Sequence, residues 1–315
     1  MKQAHPIFLT FLTILTVLFC ATSLHSQELT FYVIPPKGPI NWNSPRSLLL
    51  SYAGSMLAGN KHHTYSHPMG HVFIELQDSS HHATAGMEAR SKSDMAGMVS
   101  KKGYGLGILF ADIPGRLVEG EENETDISER SREGDIAFIK FRLTPEAFAK
   151  LWQYLQDYKS NGYDQVYNGE NKPREGKGAG CSAFGASFIE LAGLLSADVL
   201  SEWKIQVNIP QKLIGGPNNN GGRVGILKII ANRKWAASAG QQCRTASFYE
   251  PSMIYNWIGQ QWNWHGNGAG PTYATVVRGN AKGIVIDCTQ RQLPNTPTWF
   301  PDQAPPAVAL LQQAN

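Results

Sequence analysis

The sequence predicts an α+β fold, on three observations. Short stretches with two-residue alternation, such as GHVFIEL (70–76) and DIAFIKFRL (135–143), recur through the first half of the chain. TPEAFAKLWQYLQDYKSNG (144–162) carries the apolar period of an amphipathic helix. A second apolar helix, starting at about Cys181 and running to Leu195, is followed by further strands. Strands, then helices, then more strands point to α+β architecture.

Taken in order, the elements begin with a leader. Lys2 precedes an apolar run from Ile7 to Cys20, and the small pair Ala21 and Ser23 closes it. That is the layout of a secretory signal peptide, assigned to residues 1–26. The run is shorter than the ~20 apolar residues of a spanning helix, so no transmembrane anchor is expected after cleavage. Bulky Phe19 makes Cys20 a poor lipidation site. The expected location is secreted, or periplasmic and cell-envelope. LTFYVIP (29–35) reads as a strand, and SLLLSYAGSMLAG is one short apolar stretch within a loop-rich region. In GHVFIEL, His71, Phe73 and Glu75 share one face. ATAGMEA (83–89) reads as its paired strand and LGILFAD (106–112) as another. EGEENETDISERSREG (119–134) reads as a solvated, charged loop, with a glycosylation sequon at Asn123. After the strand at 135–143, Thr144 suits an N-cap, Pro145 the first helical turn, and Gly162 the helix end. KIQVNIP (204–210) and RVGILKIIA (223–231) read as strands, and YATVVRG with GIVIDC as a terminal hairpin. The proline-rich tail from Leu293 reads as loose.

Composition bounds the function. Twenty-eight basic and 25 acidic residues leave a formal charge of +3, which does not suggest a nucleic-acid binder. Apolar content of 42% is that of a globular chain, and roughly 290 residues remain after the leader. Residues 27–235 are assigned to one domain. Residues 236–315, with Trp235 just before them and crowded by Tyr249, Tyr255, Trp257, Trp262 and Trp264, are assigned to a C-terminal extension of unknown role. Of four cysteines, Cys20 leaves with the leader. In an oxidising compartment Cys243 and Cys288 are the disulfide candidates, which leaves Cys181 as the odd thiol.

Cys181 lies between a glycine-rich basic loop and an apolar helix, in GKGAGCSAFGASFIELAGLL (176–195). A helix N-terminus favours the thiolate, and its backbone N–H groups can hold an oxyanion. A buried structural cysteine is the competing explanation. A thiol nucleophile needs a histidine base, and His71, at a strand start just after a glycine, is the best placed of the nine histidines.

Together these segments resemble the circularly permuted branch of the NlpC-type papain-like cysteine hydrolases. GHVFIEL comes first and GCSAFGASFIELAGLL about 110 residues later, the reverse of the papain order. The resemblance spans about residues 65–200. It implies a papain-like antiparallel sheet packed against the cysteine-bearing helix. It makes Cys181 the nucleophile and His71 the general base. A third group would orient the histidine from the next strand; Glu88 fits that place best, and Glu75 is the alternative. Tyr163 and Ser182 are the candidate oxyanion or pocket residues. The implied substrate is a peptide or amide, with peptidoglycan the first choice, and no cofactor is implied.

Other patterns are weaker. His62, His63, His67 and His71 fall within ten residues, but Pro68 argues against the helix that would bring His67 and His71 together as metal ligands, and no metal is expected. GKGAG lacks the Ser or Thr of a phosphate-binding loop. The competing functional class is a non-catalytic envelope-binding module that uses the aromatic C-terminal region as its contact surface.

Overall fold

The structure is a computed structural model, and it describes residues 27–59, 63–237, 242–263 and 273–300. The expected signal peptide, Cys20, His62, Trp264 and His265 lie outside the described residues.

The architecture is mixed α+β. In chain order the strands are β1 (Gln27–Ile34), β2 (His71–Gln77), β3 (His82–Ala89), β4 (Ile113–Glu119), β5 (Ala137–Leu143), β6 (Val166–Tyr167), β7 (Lys204–Pro210), β8 (Cys243–Tyr249), β9 (Ala274–Arg278) and β10 (Ala281–Asp287). The helices are α1 (Pro45–Gly59), α2 (Lys92–Ser100), α3 (Glu121–Glu133), α4 (Pro145–Ser160), α5 (Cys181–Leu191), α6 (Ala197–Glu202), α7 (Ile226–Ile230) and α8 (Pro251–Asn263). Eight strands form one sheet, in the order β6-β4-β3-β2-β1-β5-β10-β9, while β7 and β8 pair separately. Its neighbours are antiparallel except that β10 runs parallel to β5. The sheet is therefore mixed rather than the expected antiparallel one. The residues after 235 supply two of its strands and helix α8, which packs on β1, β5 and β10.

The central strand β1 is apolar on both faces because both are covered. Leu29, Phe31 and Val33 join the main core with Val72, Ile74, Phe141, Phe184, Phe188 and Trp203. Tyr32 and Ile34 face the other way, against Phe73, Phe138 and Ile127 of α3. Helices α4, α5 and α8 supply the main core, and α3 closes the opposite face. Helix α4 starts as its sequence requires, with the Thr144 side chain accepting from the Ala147 N–H at 3.1 Å. Gly185 in α5 sits where any Cβ would come within 2.5 Å of Val72 and 2.8 Å of Phe31, so the glycine lets the helix lie directly on β1 and β2.

Three expected elements take other forms. LGILFAD holds a 3-10 helix over Leu106–Phe110, whose Leu106 and Phe110 both turn into a second core with β7 and β8. RVGILKIIA is not a strand. After Gly225 it winds into α7, which buries Ile229 and leaves Leu227 82% exposed. The charged segment 119–134 is not a solvated loop but helix α3. Its buried residues Asn123, Ile127, Arg130 and Ser131 recur at helical spacing, together with Asp126, so the inward face is largely polar and a hydropathy pattern cannot show it. Asn123 itself is 1% exposed and donates to the Val118 carbonyl at 2.8 Å, which removes it as a surface glycosylation acceptor. The tail is not loose as far as residue 300. Trp299 packs on Tyr154 and Tyr163, the Phe300 N–H donates to the Arg174 carbonyl at 2.7 Å, and Lys150 donates to the Thr296 carbonyl at 2.9 Å.

The expected Cys243–Cys288 disulfide is not formed. Cys243 opens β8 in the two-stranded sheet, and Cys288 follows β10 in the large one, where its N–H donates to the Arg142 carbonyl at 2.9 Å. The two cysteines belong to different layers of the fold, and spacing along the chain gave no view of that.

Candidate active site

Cys181 is the first residue of α5, with Gly180 before it in extended backbone and no side chain capping the helix. The first-turn N–H groups of α5 therefore have no capping side chain. The loop is anchored from behind. The Gly180 N–H donates to the Asn168 carbonyl at 2.6 Å, and the Ala179 N–H donates to the Tyr158 hydroxyl at 3.2 Å.

His71 is the first residue of β2 and is 3% exposed. It and Cys181 come close enough for each to shift the other's ionisation. Burial works against charge on the thiol, but His71, the Ser182 hydroxyl and the Val72 backbone outweigh it and bring the thiol below its ordinary value. Burial, reinforced by neighbouring His67, presses the His71 imidazole below its ordinary value, against the pull of Cys181 and Asp126. An imidazole so placed is neutral at neutral pH and able to accept a proton.

The His71 ring is fixed by its faces. The His67 ring stacks on it at 4.3 Å and 10°, and Phe73 meets it edge-on at 4.5 Å. A Cβ at Gly86 of β3 would lie 3.0 Å from His71 Nε2 and 2.8 Å from Phe73, so the glycine makes room for both rings. His67 is held in turn. Its Nε2–H donates to Asp126 Oδ2 at 2.7 Å, because a carboxylate can only accept. Arg130 Nε donates to Asp126 Oδ1 at 2.6 Å, and Arg130 Nη2 donates to the Tyr65 carbonyl at 2.7 Å. The side chains of His67, Asp126 and Arg130 are only 4%, 2% and 3% exposed. Burial pushes the Asp126 carboxyl upward, opposed first by Arg130, which cannot lose its own proton.

The sequence-derived candidates divide. Cys181 and His71 come together, and the buried Ser182 sets its hydroxyl 3.8 Å from the sulfur. Glu88 reaches the same cluster but meets His67 rather than orienting His71 by a hydrogen bond: Oε1 is 3.6 Å from His67 Nδ1, and Oε2 accepts from Arg116 at 3.1 Å. Glu75, on the face of His71 but four residues on, serves the strand lattice, accepting from the Tyr32 hydroxyl at 2.6 Å and pairing with His82 at 3.0 Å and with Arg278. Tyr163 packs edge-on against Tyr158 and Trp299. The tyrosine at the thiol is Tyr167 of β6, which interacts with the Cys181 sulfur and backbone and whose hydroxyl is pushed well upward, first by burial and then by the Cys181 charge.

Asp126, Arg130 and Tyr167 have no role in the reading from sequence, and His67 was weighed there only as a metal ligand and set aside because Pro68 breaks a helix, although the loop stacks its ring on His71 without one. Tyr167 stood in the same NGYDQVY segment as Tyr163, four residues on. Acids in the first turn of 121–133 and basic residues in its last turn were the available helix signal for α3. Comparison of the chain with protein-family models, with curated proteins and with solved structures finds no match.

Proposed function

We propose that the chain is an exported thiol hydrolase that cleaves an amide bond, of the papain-like type with the histidine strand ahead of the cysteine helix. The observation that carries this reading is a single constellation. A thiol with lowered pKa stands at an uncapped helix N-terminus, beside a buried neutral imidazole whose ring is fixed by the His67–Asp126–Arg130 chain. The nearness of Cys181 and His71 supports the reading because a nucleophile and its base must come within reach of each other.

In the proposed reaction His71 takes the Cys181 proton as the sulfur bonds to the carbonyl carbon. The carbonyl electron pair moves onto oxygen, where the first-turn N–H groups of α5 and the Tyr167 hydroxyl can donate to it. Collapse breaks the carbon–nitrogen bond, and His71 returns the proton to the departing amine. The remaining thioester is hydrolysed by water, activated by the same imidazole. Export makes cell-wall peptide the first substrate class.

The test is incubation of the purified chain with muropeptides and peptide amides, read by mass spectrometry. Amine release by the wild type, its loss in Cys181→Ala, and folding of that variant shown by circular dichroism are expected. Turnover that survives in Cys181→Ala rules the mechanism out. The binding-module reading draws less support. Trp257 is core, and Tyr249, Tyr255 and Tyr273 pack against that core instead of forming an outer contact surface.

A further inference from the structure

We propose that His67, His71 and Glu88 form a binding site for a zinc-type divalent ion, which holds the site in a state unable to start catalysis. One ring nitrogen from each histidine and one Glu88 carboxylate oxygen all lie within 4.8 Å of one another. Two imidazoles and a carboxylate are a donor set suited to Zn²⁺. The ligand atoms need to draw in by about an ångström to reach metal–ligand distances of ~2.0–2.2 Å.

Two further observations point to a cation. His71 Nε2 is fully buried and has no hydrogen-bond partner among the described residues, so a ring nitrogen of one of the three residues is left unsatisfied. Asn123, which lines the narrow crevice alongside with His67, Glu88 and Asp126, carries a second such atom, Oδ1. The crevice has no room for a water-sized body as it stands, which excludes an organic ligand.

The surroundings match a built metal site. His67 donates its Nε2–H to Asp126, which presents Nδ1 toward Glu88, and Arg130 locks Asp126 in turn. A carboxylate behind a ligating histidine fixes its tautomer and strengthens it as a ligand. Glu88 keeps its other oxygen on Arg116, which aims the free one inward.

The consequence for activity rests on the proposed function. A neutral imidazole has one lone pair. Once that pair is bound to metal, the other nitrogen carries the proton, and His71 cannot accept one from Cys181. Zinc would bind reversibly and switch the thiol off.

The experiment is calorimetric titration of the chelator-treated full chain with ZnCl₂, with CoCl₂ visible spectra as a second readout. One ion per chain is expected, bound with like affinity by Cys181→Ala and at least about tenfold more weakly by Glu88→Gln, a near-isosteric change. His67→Asn should act as Glu88→Gln does. The proposal is overturned if no ion binds, if Glu88→Gln binds as tightly as the wild type, or if binding is lost in Cys181→Ala, which would place the metal on the thiol. Because the titration needs no turnover, its failure and a failure of the hydrolase reading are separately visible. In the kinetic arm, Zn²⁺ should slow iodoacetamide labelling of Cys181 and a chelator should restore it. Labelling unchanged at saturating Zn²⁺ overturns the switching role.

Discussion

Replacing Asp126 by Asn tests whether the buried ionic chain holds the site together. The substitution keeps the side-chain volume and removes one negative charge. In the native protein that charge sits between Arg130 Nε at 2.6 Å and His67 Nε2 at 2.7 Å, and Asp126 and Arg130 are only 2% and 3% exposed at the side chain. The substitution removes the counter-charge of the buried guanidinium and leaves it only neutral acceptors among the described residues, an amide oxygen at position 126 and the Tyr65 carbonyl. Breaking a buried pair from one side costs about 3–5 kcal/mol. An exposed pair would lose about 0–1 kcal/mol, so the two cases are well separated. With a urea slope near 3 kcal/mol/M, the unfolding midpoint should fall by about 1–1.7 M. The assay is equilibrium urea unfolding followed by tryptophan fluorescence. A second readout is the rate of iodoacetamide labelling at Cys181 below the transition. That rate should fall, because His67 loses its anchor and His71 loses the ring stacked on it. A midpoint shift below about 0.3 M, roughly 1 kcal/mol at that slope, would refute the reasoning and show that water reaches the pair.

Two other predictions concern pH. The thiol is held below its ordinary value chiefly by His71 acting against burial, so labelling of metal-free protein should turn on at a lower pH than labelling of an ordinary thiol. His71→Ala leaves burial unopposed by that charge and should move the midpoint upward; a midpoint that stays put or falls contradicts the pairing. Glu75 lies below its ordinary value, because the Tyr32 and His82 hydrogen bonds and the Arg278 charge outweigh burial. A depressed carboxylate contributes stability that is present above its unfolded value, ~4.3, and is lost as pH falls through the folded value. Glu75→Gln should therefore destabilise the protein at pH 7 and lose that difference as the pH drops below ~4. Thermal unfolding of both proteins across pH checks this, and a difference that persists at pH 3 would contradict it.

Local patterns decided much of the framework in advance. Alternation in LTFYVI, HVFIEL and AFIKFRL, and the capped amphipathic run after Thr144, each describe a segment that buries one face or two in a way its neighbours along the chain already determine. Cys181 and His71 were legible for the same reason. A glycine-flanked helix start and a glycine-flanked strand start carry their chemistry in a few adjacent residues. The order of the two segments, histidine strand before cysteine helix, was likewise visible, since order is a property of sequence alone.

What supports that pair came only from folding. Asp126 and Arg130 sit in a segment so polar that it reads as solvated, and it becomes a buried helix because the far face of the sheet needs covering. Whether a charge is buried depends on what packs over it, and α3 meets β3 and β10 from tens of residues away. Register made the other choices. Strand β3 carries Glu88 to His67, Glu75 is drawn to Tyr32 and Arg278, and β6 turns Tyr167 toward the thiol while Tyr163 goes to Trp299. Cys243 opens a strand of the two-stranded sheet and Cys288 follows β10 of the large one, and no disulfide joins them. The sequence by itself determined which side chains could react. Only the tertiary structure decided which were brought within reach, because pairing of distant strands and the cover over each face are not local properties.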